Sequence, residues 1–581
     1  MIEPSPRRTT RRRTAPLTLA GLLGLVALLA TLPGAAWAPV AATRAADPLA
    51  SASPDGFGDS QQPTSIDPAA SGAPTTDVIA DPSQNTPEDM AAWSARAAAA
   101  TLPADVSKPD IVLLIIDDFP QIDDRLWDRL PTIKKLFIDS GVRFTDYIGN
   151  DPLCCPGRAN LLTGQWTAHH GVTHNDARLF DPRESIATEL KASGYWTGIF
   201  GKYFNETGLL ADKTPPGWSS TFIFSWGYWH YKAWLNGQLI KYGTADEDYS
   251  TATIQDAALS ALGKAPKDKP RFIWLAPYGT HAGEDQAGLH KDDPAPDPRD
   301  EGAKACKDIP AWSTQANLEK DIKDKPQYLQ GRMLIKKWPV QRHCETLLSI
   351  DRLLAKTLAK LKAQGRPDPM VILTADNGMG WGAHRWKVKF VPYATPIPLF
   401  IHWPALLGDA PATVTTTVSN IDIAPTLCAI AGCEMGPFPD GDPVDGISFL
   451  SLLNDVGAVN GGAPALAGTA PASVVRQPDG TITGLHLGRT VVFEEDDPKW
   501  DKPQVPKWSG VRTTDENPLG RWVFTKYITG EKELYDISGG PCWDWSPGDP
   551  GDPCELQNLA KKSAYTDIRK QLAQELADRL K

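Results

Sequence analysis

The feature that most constrains this chain is Ile111-Val-Leu-Leu-Ile-Ile116, an uninterrupted apolar run that passes directly into Asp117-Asp118. A run this short with no polar alternate is typical of a parallel strand buried on both faces. A second run behaves the same way: Val371-Ile-Leu-Thr374 leads into Ala375-Asp376-Asn377-Gly378. Around them the pattern predicts helices over Leu130 to Ser140, closed by Gly141, and Ser185 to Ala192, closed by Gly194. Further strands are predicted at Tyr195 to Phe200 and Phe272 to Ala276, with a long helix from about Val340 to Gln364. This alternation, starting at Lys108, predicts an α/β fold with a mostly parallel sheet flanked by helices. After about Asp440 the periodicity weakens. Hairpin-like pieces at Thr490 to Glu494 and Trp522 to Ile528, then a helix from Tyr565 to Lys581, predict a smaller C-terminal α+β subdomain. The expected domains are 106–440 and 441–581, and no internal repeat is visible.

Ahead of them stand two segments of other character. Arg7, Arg8, Arg11, Arg12 and Arg13 precede an apolar stretch, Leu17 to Leu32, and then Ala36-Trp37-Ala38. That is the layout of a signal peptide, or of an N-terminal anchor if the segment stays uncleaved, and residues 1–46 are assigned to it. Paired arginines fit twin-arginine export and general secretion alike. Pro39 is a poor residue after a cut, so Ala42 or Ala46 are alternative boundaries. Residues 47–105 are rich in Ala, Ser and Pro without a sustained apolar period and read as a disordered linker, with one helix around Ala91 to Ala100. The reading is an exported protein, secreted, periplasmic or at the cell surface, with a membrane partner only if the first segment is retained.

Cysteine usage agrees with export. Apart from Cys154 and Cys155, sequence proximity suggests Cys428 with Cys433 and Cys542 with Cys554, which leaves Cys306 with Cys344; other pairings stay open. A net charge of -11, with no basic stretch beyond the N-terminus, argues against nucleic acid as a partner. Several of the 20 tryptophans cluster between Trp218 and Trp234. Most such rings pack internally, but a wall for carbohydrate is the alternative.

In an open α/β sheet, ligands bind at the carboxyl ends of strands. The two acidic strand ends would bring Asp117, Asp118, Asp376 and Asn377 into one crevice. Three carboxylates crowded together need a cation, and oxygen donors suit Ca²⁺ or Mg²⁺ rather than zinc. Taken alone, either pair is more often simple turn punctuation. The third element is Cys154-Cys155-Pro156-Gly157-Arg158, followed by Leu162-Thr163-Gly164. Proline in an opening turn suggests a helix starting near Pro156, whose free N–H groups with Arg158 would favour an anion.

C-x-P-x-R followed by L-T-G resembles the signature of the type I sulfatases. Other segments agree: Gly201-Lys202-Tyr203-Phe204-Asn205 is similar to the family's GKYLN variant, and Glu533-Leu-Tyr-Asp536 and Asp552 to Ala560 to its C-terminal pattern. The resemblance covers roughly Lys108 to the C-terminus and implies an alkaline-phosphatase-like fold. It implies hydrolysis of sulfate monoesters, with Cys154 oxidised to formylglycine by a maturation enzyme. It also implies calcium, or magnesium, bound by Asp117, Asp118, Cys154, Asp376 and Asn377. Arg158 and the cation would hold the nucleophile, and Lys202 and Lys389 would neutralise the sulfate. Lys389 lies in a segment resembling K-x-x-P-Y, and Lys387 competes for its role. His281 matches the histidine that protonates the leaving alcohol, although its surroundings depart from the usual P-H-x-P. His384, in Gly-Ala-His-Arg385, resembles G-E-H-R and is a second acid candidate; His384 and Asn205 are also expected to contact substrate. Phe204 and Asn205 stand where many members carry a histidine base, so no base is assigned. His169, His170 and His174 are read as structural or as substrate contacts. The form of the motifs is nearest to the arylsulfatase and N-acetylglucosamine-6-sulfatase-like subgroup, whose substrates are aryl sulfates or sulfated sugars. Rival readings are a phosphonate monoester or phosphodiester hydrolase and a catalytically silent anion-binding protein.

Overall fold

The computed structural model describes residues 95 and 99–580, apart from 437, 439–440, 442, 464–473, 485–489, 497–504 and 515–516. The signal segment and nearly all of the expected linker lie outside the described residues.

Five parallel strands form the middle of a 12-stranded sheet: β1 (Ile111–Ile116), β3 (Trp196–Lys202), β4 (Ser220–Phe224), β7 (Arg271–Ala276) and β8 (Met370–Ala375). Every residue of β1, β3, β7 and β8 is buried, as expected for strands with both faces covered. β2 (Val142–Phe144), β5 (Lys232–Leu235), β6 (Gln238–Lys241), β9 (Leu399–His402), β10 (Ala412–Val414), β11 (Val474–Arg476) and β12 (Thr481–Gly484) complete the sheet. The order is β11-β12-β10-β2-β9-β8-β1-β7-β3-β4-β5-β6. Antiparallel pairs occur toward both edges, at β8-β9, β9-β2, β4-β5, β5-β6 and β11-β12, so the sheet is mixed around a parallel centre. β11 and β12 belong to this sheet although their residues follow 440, because they pair onto the edge strand β10.

Helices α1 (Cys154–Thr163), α2 (Ile186–Ala192), α3 (Ser250–Lys264), α4 (Gln341–Ala363) and α5 (Ile423–Ala431) accompany the sheet. α4 buries Leu347, Ile350, Leu354 and Leu361 along one face, with Glu345 and Asp351 buried beside them. The helix expected over Leu130 to Ser140 is irregular: one α-turn, Pro131–Ile133, continues as a π-turn, Lys134–Ile138. Its start is tied from below, since Asp351 Oδ1 accepts the N–H groups of Thr132 and Ile133.

The C-terminal subdomain is an antiparallel sheet of β13 (Val491–Glu495), β14 (Trp508–Arg512), β15 (Trp522–Tyr527) and β16 (Lys532–Asp536), covered by α6 (Thr566–Arg579). It is joined to the larger sheet by charge: Arg512 and Arg521 reach the buried Asp146 at 2.7 and 2.6 Å. The disulfides are Cys306–Cys344, Cys428–Cys433 and Cys542–Cys554, the pairs that proximity suggested, and Cys154 and Cys155 are free thiols.

Candidate active site

Four adjacent strands deliver the site. In sheet order β8, β1, β7 and β3 end at Asp376-Asn377, Asp117-Asp118, Tyr278 to His281, and Lys202. The register aligns these ends, Ile116 with Ala375 and Gly201 with Ala276. Helix α1 starts at Cys154, two residues earlier than proline alone suggested, with Pro156 inside its first turn. Gly157 then passes so close to β8 that a Cβ there would lie 2.1 Å from the Asp376 carbonyl oxygen. The glycine in the motif is therefore what lets helix α1 touch the second acidic strand end.

Cys154 Sγ lies 3.9 Å from Asp117 Oδ1 and 3.7 Å from Asp118 Oδ1, and Lys389 Nζ donates to it at 2.8 Å. Lys389 also donates to Asp118 at 2.7 and 3.0 Å. Lys202 Nζ sits 2.6 Å from Asp117 Oδ2 and 5.7 Å above the Tyr278 ring. Arg158 is fully buried and bridges the two strand ends: Nε donates to Asp376 Oδ2 at 2.9 Å and Nη2 to Asp117 Oδ2 at 3.3 Å. Its third bond goes to the Lys202 carbonyl at 2.6 Å, fixing β3 as well. Three acids thus face three cations in a buried centre. Burial opposes ionisation of Asp118, but Lys389, His281 and Lys202 outweigh it and hold this carboxyl well below its usual range. Asp376 goes the other way, raised to about 6 by burial and by Asp117 against the pull of Arg158. Burial pushes the Cys154 thiol up to about 12 despite the two lysines. An unmodified thiol there is protonated near neutral pH and a weak nucleophile.

The donors fit a hard divalent cation. Single ligand atoms of Asp117, Asp118, Cys154 and His281 all lie within 4.8 Å of one another. Asn377 Nδ2 donates to Asp118 Oδ1 at 2.8 Å, while its Oδ1 is buried without a hydrogen-bond partner among the described residues. A buried amide oxygen beside carboxylates is a donor that suits a cation ligand. Asp376 adjoins the group through Oδ1, which accepts the N–H groups of Asp118 at 3.1 Å and Asn377 at 2.9 Å. Asp118 itself adopts φ 57°, a strained value for a residue other than glycine.

His281 Nε2 faces Asp118 Oδ2 at 3.3 Å. Its Nδ1 is 2.5 Å from the Ala282 carbonyl, an acceptor only, so Nδ1 carries the proton and Nε2 is the nitrogen presented to the cluster. Tyr278 stacks on the ring with centroids 4.9 Å apart and places its hydroxyl 2.9 Å from Nδ1. Burial, helped by Lys389, keeps this imidazole below its ordinary value against the pull of Asp118.

Other expected residues lie elsewhere. Lys387 is exposed, two residues from the buried Lys389. His384 is buried against Glu319, with Nδ1 2.6 Å from Oε2, and packs on Tyr393; its bond lies with that acid rather than with the strand-end cluster. Asn205 backs the neighbouring thiol, its N–H donating to Cys155 Sγ at 3.2 Å. His169 pairs with Asp445 at 2.8 Å, and His170 accepts the Val172 N–H at 3.0 Å. Sequence reasoning missed Tyr278 and the support under Lys389. Tyr393 bonds Glu533, which also accepts from Tyr527 and Tyr535 at 2.5 and 2.6 Å, and Trp508 Nε1 donates to the Phe390 carbonyl at 3.0 Å. Two of the motifs, K-x-x-P-Y and E-L-Y-D, are thus halves of one contact.

A mixed sheet with a parallel centre, an antiparallel C-terminal subdomain and an acid–base cluster at the strand ends define an alkaline-phosphatase-like α/β protein. The sulfatase family profile matches residues 109–433, more than half of the chain, and the chain belongs to that family. It is 27% identical to a Drosophila melanogaster extracellular sulfatase SULF-1 homolog, over 60% of this chain and 31% of that protein. It is 26% identical to Homo sapiens N-acetylglucosamine-6-sulfatase, over 60% and 65% respectively, so it spans less than two thirds of either relative. A Volvox carteri arylsulfatase is 25% identical over 82% of this chain and 76% of its own length. Among solved structures, one in complex with its substrate D-glucosamine-2-N,6-O-disulfate superposes with TM-score 0.60 at 20% identity, covering 81% of this chain and 97% of its own. A phosphonate monoester hydrolase from Silicibacter pomeroyi superposes with TM-score 0.53 at 18% identity, covering 82% and 95%. At these identities the two structures share the fold.

Proposed function

We propose that the protein hydrolyses sulfate monoesters, aryl or carbohydrate, with formylglycine at position 154 as the nucleophile. The observation that carries this is the placement of Cys154. It lies at a helix start, between Asp117 and Asp118, touched by Lys389, with Arg158 binding both strand ends. A maturation enzyme would oxidise Cys154, and the hydrated aldehyde supplies one hydroxyl to attack sulfur and a second whose collapse releases sulfate. Asp117, Asp118, Asp376, Asn377 and residue 154 would hold calcium, with magnesium the alternative, and the ion supplies Lewis acidity toward a sulfuryl oxygen. Lys202 and Lys389 neutralise the sulfate and screen it from the carboxylates. Arg158 keeps residue 154 in register with both strand ends. His281, carrying a proton on both nitrogens when the ester is bound, gives its Nε2 proton to the leaving oxygen and returns to the neutral form whose Nδ1–H is held by the Ala282 carbonyl. The N-terminal segment and the three disulfides support an exported protein.

The test is a side-by-side assay of an aryl sulfate, the matching aryl phosphate and an aryl phosphonate ester with matured enzyme. A sulfate monoester carries one negative charge and a phosphate monoester close to two near neutral pH. One cation site with Arg158 and two lysines suits the former, so the sulfate should be cleaved far faster than the phosphate. Preference for the phosphonate ester by a large margin would replace the sulfatase reading with that of a phosphonate hydrolase.

A further inference from the structure

We infer that the groove beside His281 is a subsite for a pyranose ring whose only charge is its sulfate, so that the protein selects monosulfated over polysulfated saccharides. The inference rests on the sulfate-ester reading of the site. A cavity of about 490 Å³ opens at Tyr278 and His281 and runs out between residues 225–234 and 282–284. It is therefore continuous with the side of the cluster where the leaving alcohol must sit.

Its walls suit a sugar face. Trp226 is 46% exposed, an unusual state for so large a ring, and offers a flat platform. Trp229 lines the same groove, is only 4% exposed and packs on Tyr228 and Tyr249, which makes the wall behind the platform rigid. The charged lining sets the selectivity. Glu206 and Glu284 face the groove against Lys232, two acids to one lysine. A second sulfate on the ring would be brought toward carboxylates, which opposes binding in a partly enclosed site.

The test measures binding alone, by calorimetric titration of the calcium-loaded Cys154→Ala protein. The probes are methyl 6-O-sulfo-glucopyranoside and N,6-O-disulfated glucosamine. The monosulfated probe is expected to bind more tightly. Adding Trp226→Ala should weaken it roughly three- to tenfold, the usual scale of one stacking contact. Adding Glu206→Gln with Glu284→Gln should narrow the gap by improving the disulfated probe. Melting curves confirm that each variant is folded. Equal affinity with and without the Trp226 ring, or tighter binding of the disulfated probe by the Cys154→Ala protein, would overturn the inference. Failure of matured wild type to cleave 4-nitrophenyl sulfate would instead sink the sulfate-ester reading, and the titrations would still decide the subsite.

Discussion

At the scale of single residues, the site separates neighbours that look equivalent in the chain. Cys154 and Cys155 are adjacent, but only Cys154 meets Asp117, Asp118 and Lys389, while Cys155 turns toward Asn205. Cys154→Ala should abolish sulfate turnover and Cys155→Ala should keep most of it; equal losses in two folded variants would refute the assignment. Lys387 and Lys389 divide in the same way. Lys389→Ala should lower kcat by about 10²–10³, the cost of removing one preorganised charge from a developing anion. Lys387→Ala, at an exposed position, should stay near wild type in the same steady-state assay. Tyr278 has a finer task, because it touches His281 rather than the reacting atoms. Tyr278→Phe should slow alkyl sulfates, which need a proton on the leaving oxygen, more than nitrophenyl sulfates, which do not. An equal loss across leaving groups would mean that the hydroxyl does not act through the leaving-group proton.

At the scale of elements, the parts readable in advance were those whose signal is local. A short apolar run marks a buried parallel strand, and β1 and β8 follow that rule, with their acidic ends brought side by side. The edge strands β11 and β12, the π-turn after Ile133 and the hold of the C-terminal sheet on the Lys389 loop were not readable. Each depends on a partner distant in sequence: β10, Asp351 and Glu533 respectively. His384 shows the converse, since its motif was visible but its bonding to Glu319 was not. Two predictions belong here. Gly157→Ala drives a methyl into the Asp376 carbonyl, so it should cost about 1–3 kcal/mol of stability and weaken cation binding, read by melting curves and metal analysis. Tyr393→Phe cuts the tie to Glu533 and should lower kcat through Lys389 with only a modest change in Tm. A full loss of Tm without a kcat effect in the folded fraction would assign the tie to stability alone.

At the scale of the whole molecule, buried histidine sets an acid limit on stability. His343 is 4% exposed, packs on Trp381, and burial lowers it from its ordinary 6.5 to about 3. The folded state thus binds its proton less readily than the unfolded chain. Its contribution is intact above pH 6.5 and is lost as pH falls toward 3. The slope is about 1.4 kcal/mol per pH unit in that window. His343→Phe should flatten that part of the Tm–pH profile, and an unchanged profile would show that the ring is protonated when folded. The central claim is that one oxidised side chain makes this α/β scaffold a catalyst for sulfate esters. Mass spectrometry of the peptide spanning Cys154 and Cys155, on preparations matured to different extents and assayed in parallel, tests it most directly. The account predicts formylglycine at 154, an intact thiol at 155, and sulfate turnover rising in proportion to the aldehyde fraction. Full turnover by protein whose Cys154 is an unmodified thiol would contradict it.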